Sequence, residues 1–109
     1  MPRYEFTEQA ERDLKSILDY TLQQWGRAQE EKYLDGLEVL AENLAANPDL
    51  GAKRENLMEG VLSFPYVSHV LYYIKQTHGI TIIRVLHRRM DPERHITTED
   101  GNAVDGEKH

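Results

Sequence analysis

The sequence predicts an α+β fold: an N-terminal strand, then an antiparallel two-helix hairpin packed on a small antiparallel β-sheet. Three observations carry this. Apolar residues recur with a helical period through the first half, and the second half switches to short β-rich runs separated by turn residues. Neither helical stripe can be covered by the other helix alone, so both need a sheet beneath them. With 109 residues, 39% of them hydrophobic and 29% charged, the chain has the size of one globular domain with one core.

Residues 3–6 read as the first strand. Thr7 is the expected N-cap of the first helix, with Glu8 in the first turn favourable to the helix dipole. Ala10, Leu14, Ile17, Leu18 and Thr21 follow at i, i+4, i+7, i+8 and i+11, one face of an amphipathic helix. Gly26 should end it, since glycine tolerates the left-handed conformation. A second helix is expected over 27–46, with Tyr33, Leu37, Leu40 and Leu44 as its stripe. Asn47-Pro48 stops it, because a residue before proline disfavours the α region. Residues 48–60 read as a connecting loop. Three β-rich runs follow at 61–64, 69–75 and 80–87. Pro65 is expected at the bend between the first two, and Gln76-Thr77-His78-Gly79 forms the hairpin turn between the last two. The third run is apolar on both faces and reads as a central strand. Residues 1–96 thus form the expected domain. The tail 97–109 is polar, glycine-containing and aperiodic, and is expected to be mobile.

Charge is unevenly placed. The total is −6, yet residues 1–60 carry 7 basic and 13 acidic side chains, residues 61–96 carry 5 and 2, and residues 97–109 carry 1 and 4. An acidic half is joined to a basic segment. The acidic half repels phosphates, so direct nucleic-acid binding by this chain alone is not expected. There is no cysteine, which removes disulfides and thiolate metal sites and fits a reducing, cytoplasmic setting. No apolar leader and no run near the roughly 18 apolar residues of a membrane helix is present, so secretion and membrane insertion are not expected.

No catalytic constellation emerges from the spacing. The histidines, 69, 78, 87, 95 and 109, form no HExxH pattern, and no phosphate-binding glycine loop or GxSxG elbow occurs. No metal and no cofactor is implied. The notable cluster is the stretch from Arg84 to Ile96, where Arg84, Arg88, Arg89 and Arg94 surround Met90. Arginine and methionine are both enriched where proteins meet partners. The same residues also read as a basic strand end capped by a turn at Asp91-Pro92, with Met90 tucked into the core and His69 as a hydrogen-bonded framework residue.

Three stretches resemble the ParE branch of the ParE/RelE toxin superfamily. They are Tyr4-x-Phe6-Thr7-x-x-Ala10-Glu11-x-Asp13-Leu14 with Asp19-Tyr20; Gln24-Trp25-Gly26-x-Ala28-Gln29 with Tyr33 and Leu37; and Val85-Leu86-His87-x-Arg89-Met90-Asp91. The resemblance spans about residues 4–96 and implies the RelE/ParE-like fold. It further implies the toxin of a type II toxin–antitoxin pair. Such a toxin binds and poisons DNA gyrase, blocks replication without being an enzyme, and is neutralised by a ParD-like antitoxin, so a toxin–antitoxin hetero-oligomer is expected. The C-terminal basic segment is then the expected target contact: Arg84, Arg88 and Arg89 for charge, His87 and Met90 for contact area, with Asp91 either contact or turn cap. Trp25 and Tyr33, taken as exposed aromatics, are the expected antitoxin contacts.

Two alternatives stay open. A ribosome-dependent mRNA endonuclease of the RelE kind needs cationic groups for the phosphorane charge. The stretch 60–64 has no lysine or arginine, His69 stands where an arginine is expected, and no tyrosine follows Tyr73. A decayed, non-toxic antitoxin-binding module is the other alternative, since arginines common in related toxins near Leu62 and Ser68 are missing.

Overall fold

The computed structural model describes residues 2–96; the expectation made for residues 97–109 lies outside them. The chain runs β1 (Arg3–Phe6), α1 (Glu8–Trp25), α2 (Arg27–Ala46), a short 3-10 turn (Pro48–Leu50), β2 (Ala52–Lys53), β3 (Val61–Tyr66), β4 (His69–Gln76), β5 (Gly79–His87) and a second 3-10 turn (Pro92–Arg94). The Thr7 cap is in place: its Oγ1 accepts from the Ala10 N–H at 3.1 Å and donates to the Ile83 carbonyl at 3.0 Å, tying the helix start to the sheet. Gly26 joins the helices at φ +91, where a Cβ would strain.

The five strands form one sheet in the order β1-β5-β4-β3-β2. β5 lies between β1 and β4, as its two-faced apolar pattern predicts. The sheet is mixed and not purely antiparallel, because β1 joins β5 in parallel while β2 to β5 are antiparallel. The long crossover through both helices permits this, since parallel neighbours need such a connection. The loop expected over 48–60 contains the short edge strand β2. Pro65 lies inside β3, opposite Val70, and not at a bend. β2 pairs β3 only at Leu62 and Ser63, so Pro65 sits where β3 is already an edge strand, the place a sheet tolerates proline. The hairpin turn falls at Val67-Ser68 instead.

The helices bury Ala10, Tyr33, Leu37, Ala41 and Leu44 against Leu62, Leu71, Tyr73, Ile80, Ile82 and Val85. The far face of the sheet has its own core of Val61, Tyr72, Ile83, Leu86 and Ile96, covered by Leu57 and Met58. A bulge explains why the inward residues of β5 change parity from Ile80 and Ile82 to Val85. Tyr73 pairs Ile82 but Tyr72 pairs Arg84, leaving Ile83 extra.

Gly79 stands opposite Arg3 at φ +150, and a Cβ there would press on the Arg3 backbone. Gly79→Ala is therefore expected to cost about 2 kcal/mol or more and to loosen β1 first. Faster hydrogen exchange at residues 3–6 than in β4 checks this; unchanged exchange at β1 would contradict it.

Candidate protein-interaction site

His87 ends β5 directly opposite His69 of β4. Their rings meet edge to face with centroids 5.5 Å apart. His69 Nδ1 lies 3.2 Å from the Tyr33 hydroxyl on α2, so three elements converge here. Burial, and then the neighbouring His87, push the His69 pKa below the usual histidine value. His87 Nδ1 accepts from the Arg89 N–H at 3.1 Å, which places the proton of the neutral ring on Nε2.

Past His87 the backbone turns in a fixed way. The Arg88 N–H donates to the Ser68 carbonyl at 2.9 Å, and the Met90 N–H to the His87 carbonyl at 2.9 Å. Asp91 caps the following 3-10 turn, its Oδ1 accepting from the Glu93 N–H at 3.0 Å. The backbone is thus held while the side chains of Arg88, Arg89 and Met90 face solvent, Met90 at 45% exposure. Met90 is not tucked into the core, whereas Ile96, six residues on, is buried in the far-face cluster.

Arg84 does not supply free charge to this surface. Its guanidinium is bound internally, with Nε 2.8 Å and Nη2 3.0 Å from the Asp13 carboxylate of α1, and Nη1 2.7 Å from the His95 carbonyl. Both side chains of the pair are only 15% exposed. Asp13 Oδ2 also accepts from the Val85 N–H at 3.0 Å. The local sequence pattern groups Arg84 with Arg88 and Arg89 and assigns Asp13 no role. A usable signal was present, for a lone arginine inside an apolar strand demands a buried partner.

Beside the histidine pair a groove of about 550 Å³ runs between α1 and the β3–β4 turn, bordered by Ile17, Tyr20, Trp25, Val67, His69 and His87. Trp25 is 72% exposed, but Tyr33 is only 6% exposed. The expectation that Tyr33 is an exposed aromatic is corrected. It packs on Tyr66 and sits in the helix–sheet core, as its place on the α2 stripe demands. Val67 is 71% exposed and held at φ +55, a costly conformation for a β-branched side chain.

Among the described residues no helix is long and apolar enough to cross a membrane, and no group of three or more His, Cys, Asp or Glu could hold a metal ion.

The lowered His69 pKa has a pH consequence. The unfolded chain takes up this proton near the ordinary histidine value of about 6.5, and the folded chain only at lower pH. The stability is therefore complete above that value and falls as pH drops below it. Urea midpoints should be lower at pH 5.5 than at pH 7.5, and His69→Gln should flatten the difference. An equal slope in wild type and variant would show that His69 does not carry it.

A family model described as the ParE toxin of the type II toxin–antitoxin system parDE matches residues 4–92. Toxin ParE1 of Mycobacterium tuberculosis (strain ATCC 25618 / H37Rv) is 36% identical over 95 residues, covering 86% of this chain and 97% of its own length. Toxin ParE of Escherichia coli is 29% identical over 92 residues, covering 84% and 89%. A solved structure, the chromosomal ParDE TA system from P. aeruginosa, superposes with a TM-score of 0.65 at 20% identity. It covers 80% of this chain and 96% of that one, and so shows the fold. The chain belongs to the ParE toxin family of type II toxin–antitoxin systems.

Proposed function

We propose that this chain is the toxin that inhibits DNA gyrase by protein–protein binding, blocks replication and is neutralised by a ParD-like antitoxin. The observation that carries the reading is the loop after β5. In a ParE-family chain, Arg88, Arg89 and Met90 are solvent-facing on a backbone fixed by hydrogen bonds to Ser68 and His87. A preorganised loop loses little entropy on binding, and arginine is a frequent interface anchor. No covalent step is needed for such an action. The groove with exposed Trp25 and strained Val67 is where an antitoxin segment would bury apolar surface. His87 borders both regions, and Asp91 serves as the loop's cap.

The test is a supercoiling assay with purified gyrase, plasmid DNA, ATP and this protein. Inhibition with accumulation of linear, cleaved DNA, reversed by the cognate antitoxin, supports the proposal. No effect over a wide concentration range overturns it. One observation favours the endonuclease as second reading: His69, its pKa lowered by burial and its ring 3.2 Å from the Tyr33 hydroxyl, stands beside His87 in an open groove. Cleavage of messenger RNA in a translation extract, lost in His69→Gln, is the result that would bring it forward.

A further inference from the structure

β1 pairs β5 only as far as Ile82, whereas β5 continues to His87. Beyond Ile82 the α1 side chain Asp13 meets this edge, accepting from both the Val85 N–H and the Arg84 guanidinium. The remaining arm of Arg84 reaches forward to the His95 carbonyl. The next residue, Ile96, is buried in the far-face core. The loop 88–94 is therefore anchored at both ends. Its start is held by β5 and the Arg88 N–H bond to Ser68, and its end by the Arg84 bond to His95 and by Ile96.

We infer that Asp13 and Arg84 are a positioning pair that fixes the loop 88–94 for target contact, although neither side chain touches the target. The inference rests on the reading of this loop as the target-binding element. Asp13 orients the guanidinium through two parallel bonds, and Nη1 holds the loop's far end. Only arginine can do both at once: a lysine ammonium offers one point charge on a flexible stem, without a fork. Releasing the far end lets the exposed side chains of the loop move independently, and binding must then order each of them again.

Arg84→Lys separates positioning from folding, because it keeps the charge opposite Asp13 and lets go of His95. In the full chain, 15N relaxation should show residues 88–95 gaining fast motion while the amides of β4 and α2 keep wild-type values. The concentration giving half-inhibition of gyrase should rise by about tenfold. Asp13→Asn, which loosens the guanidinium from the other side, should shift both readouts the same way. Leu44→Ala, which weakens the helix-side core away from the loop, should leave half-inhibition within about twofold at temperatures where it is folded. Wild-type relaxation at 88–95 in Arg84→Lys overturns the inference, as does an equal loss of inhibition in Leu44→Ala. If the wild-type chain does not inhibit gyrase, the gyrase reading fails by itself. The relaxation result, and growth arrest on expression of wild type against Arg84→Lys, then decide the inference independently.

Discussion

Replacing Arg88 and Arg89 together by alanine is expected to raise the half-inhibitory concentration for gyrase by about 100-fold while leaving the fold intact. Both side chains are exposed, and neither guanidinium has a partner among the described residues, whereas the neighbouring Arg94 reaches Asp91 at 3.9 Å. Truncating such residues changes stability by no more than about 0.5 kcal/mol, a shift of about 2–4 °C for a domain of this size. An interface arginine is worth far more, commonly about 2 kcal/mol, and two decades of affinity correspond to about 2.8 kcal/mol. The inhibition by wild type should also weaken as salt rises, and that salt dependence should be reduced in the double variant. Supercoiling titrations at two salt concentrations, with a melting curve for each protein, make the check. Unchanged inhibition in a folded Arg88→Ala/Arg89→Ala protein would move the target contact elsewhere.

The elements with one strong period were readable from the sequence. The α1 stripe from Ala10 to Thr21, the Thr7 cap, the Gly26 break and the two-faced β5 all depend on neighbours within a few residues, and all stand as predicted. What depends on distant pairing was not readable. The direction of β1 is set by which strand it meets after the chain has crossed both helices. The place of Pro65 is set by where β2 stops. The same division runs through the candidate site. Arg84, Arg88 and Arg89 look alike in sequence, but the bulge at Ile83 and the carboxylate 71 residues away put Arg84 to internal use. Tyr33 met two expectations at once, helix stripe and surface contact. The stripe prevailed because a residue on the packed face of an amphipathic helix is buried whatever its polar end could do. Its hydroxyl finds a partner in His69 across the core, which no local pattern reveals.

Asp13→Ala is expected to lower stability by about 3 kcal/mol, more than any surface charge in the chain would. It leaves the Arg84 guanidinium, only 15% exposed, without its carboxylate and strips the acceptor from the Val85 N–H. Removing one partner of a buried pair costs about 3–5 kcal/mol, because the remaining charge stays desolvated. Partial access to water here favours the lower end of that range. At about 4–8 °C per kcal/mol the melting temperature should fall by about 12–24 °C. Glu8→Ala is the matched comparison: its pair with Arg12 is an exposed i, i+4 contact at 3.6 Å, worth about 0.3–0.5 kcal/mol. Asp13→Ala/Arg84→Met removes both charges and should recover much of the loss, since the penalty lies in the unmatched charge and not in the missing attraction. A double variant as unstable as Asp13→Ala alone would instead place the cost at the Val85 N–H and the lost tie to His95. If Asp13→Ala costs no more than Glu8→Ala, the pair is behaving as a solvated surface contact, and the closed edge of β5 must be held by the sheet alone.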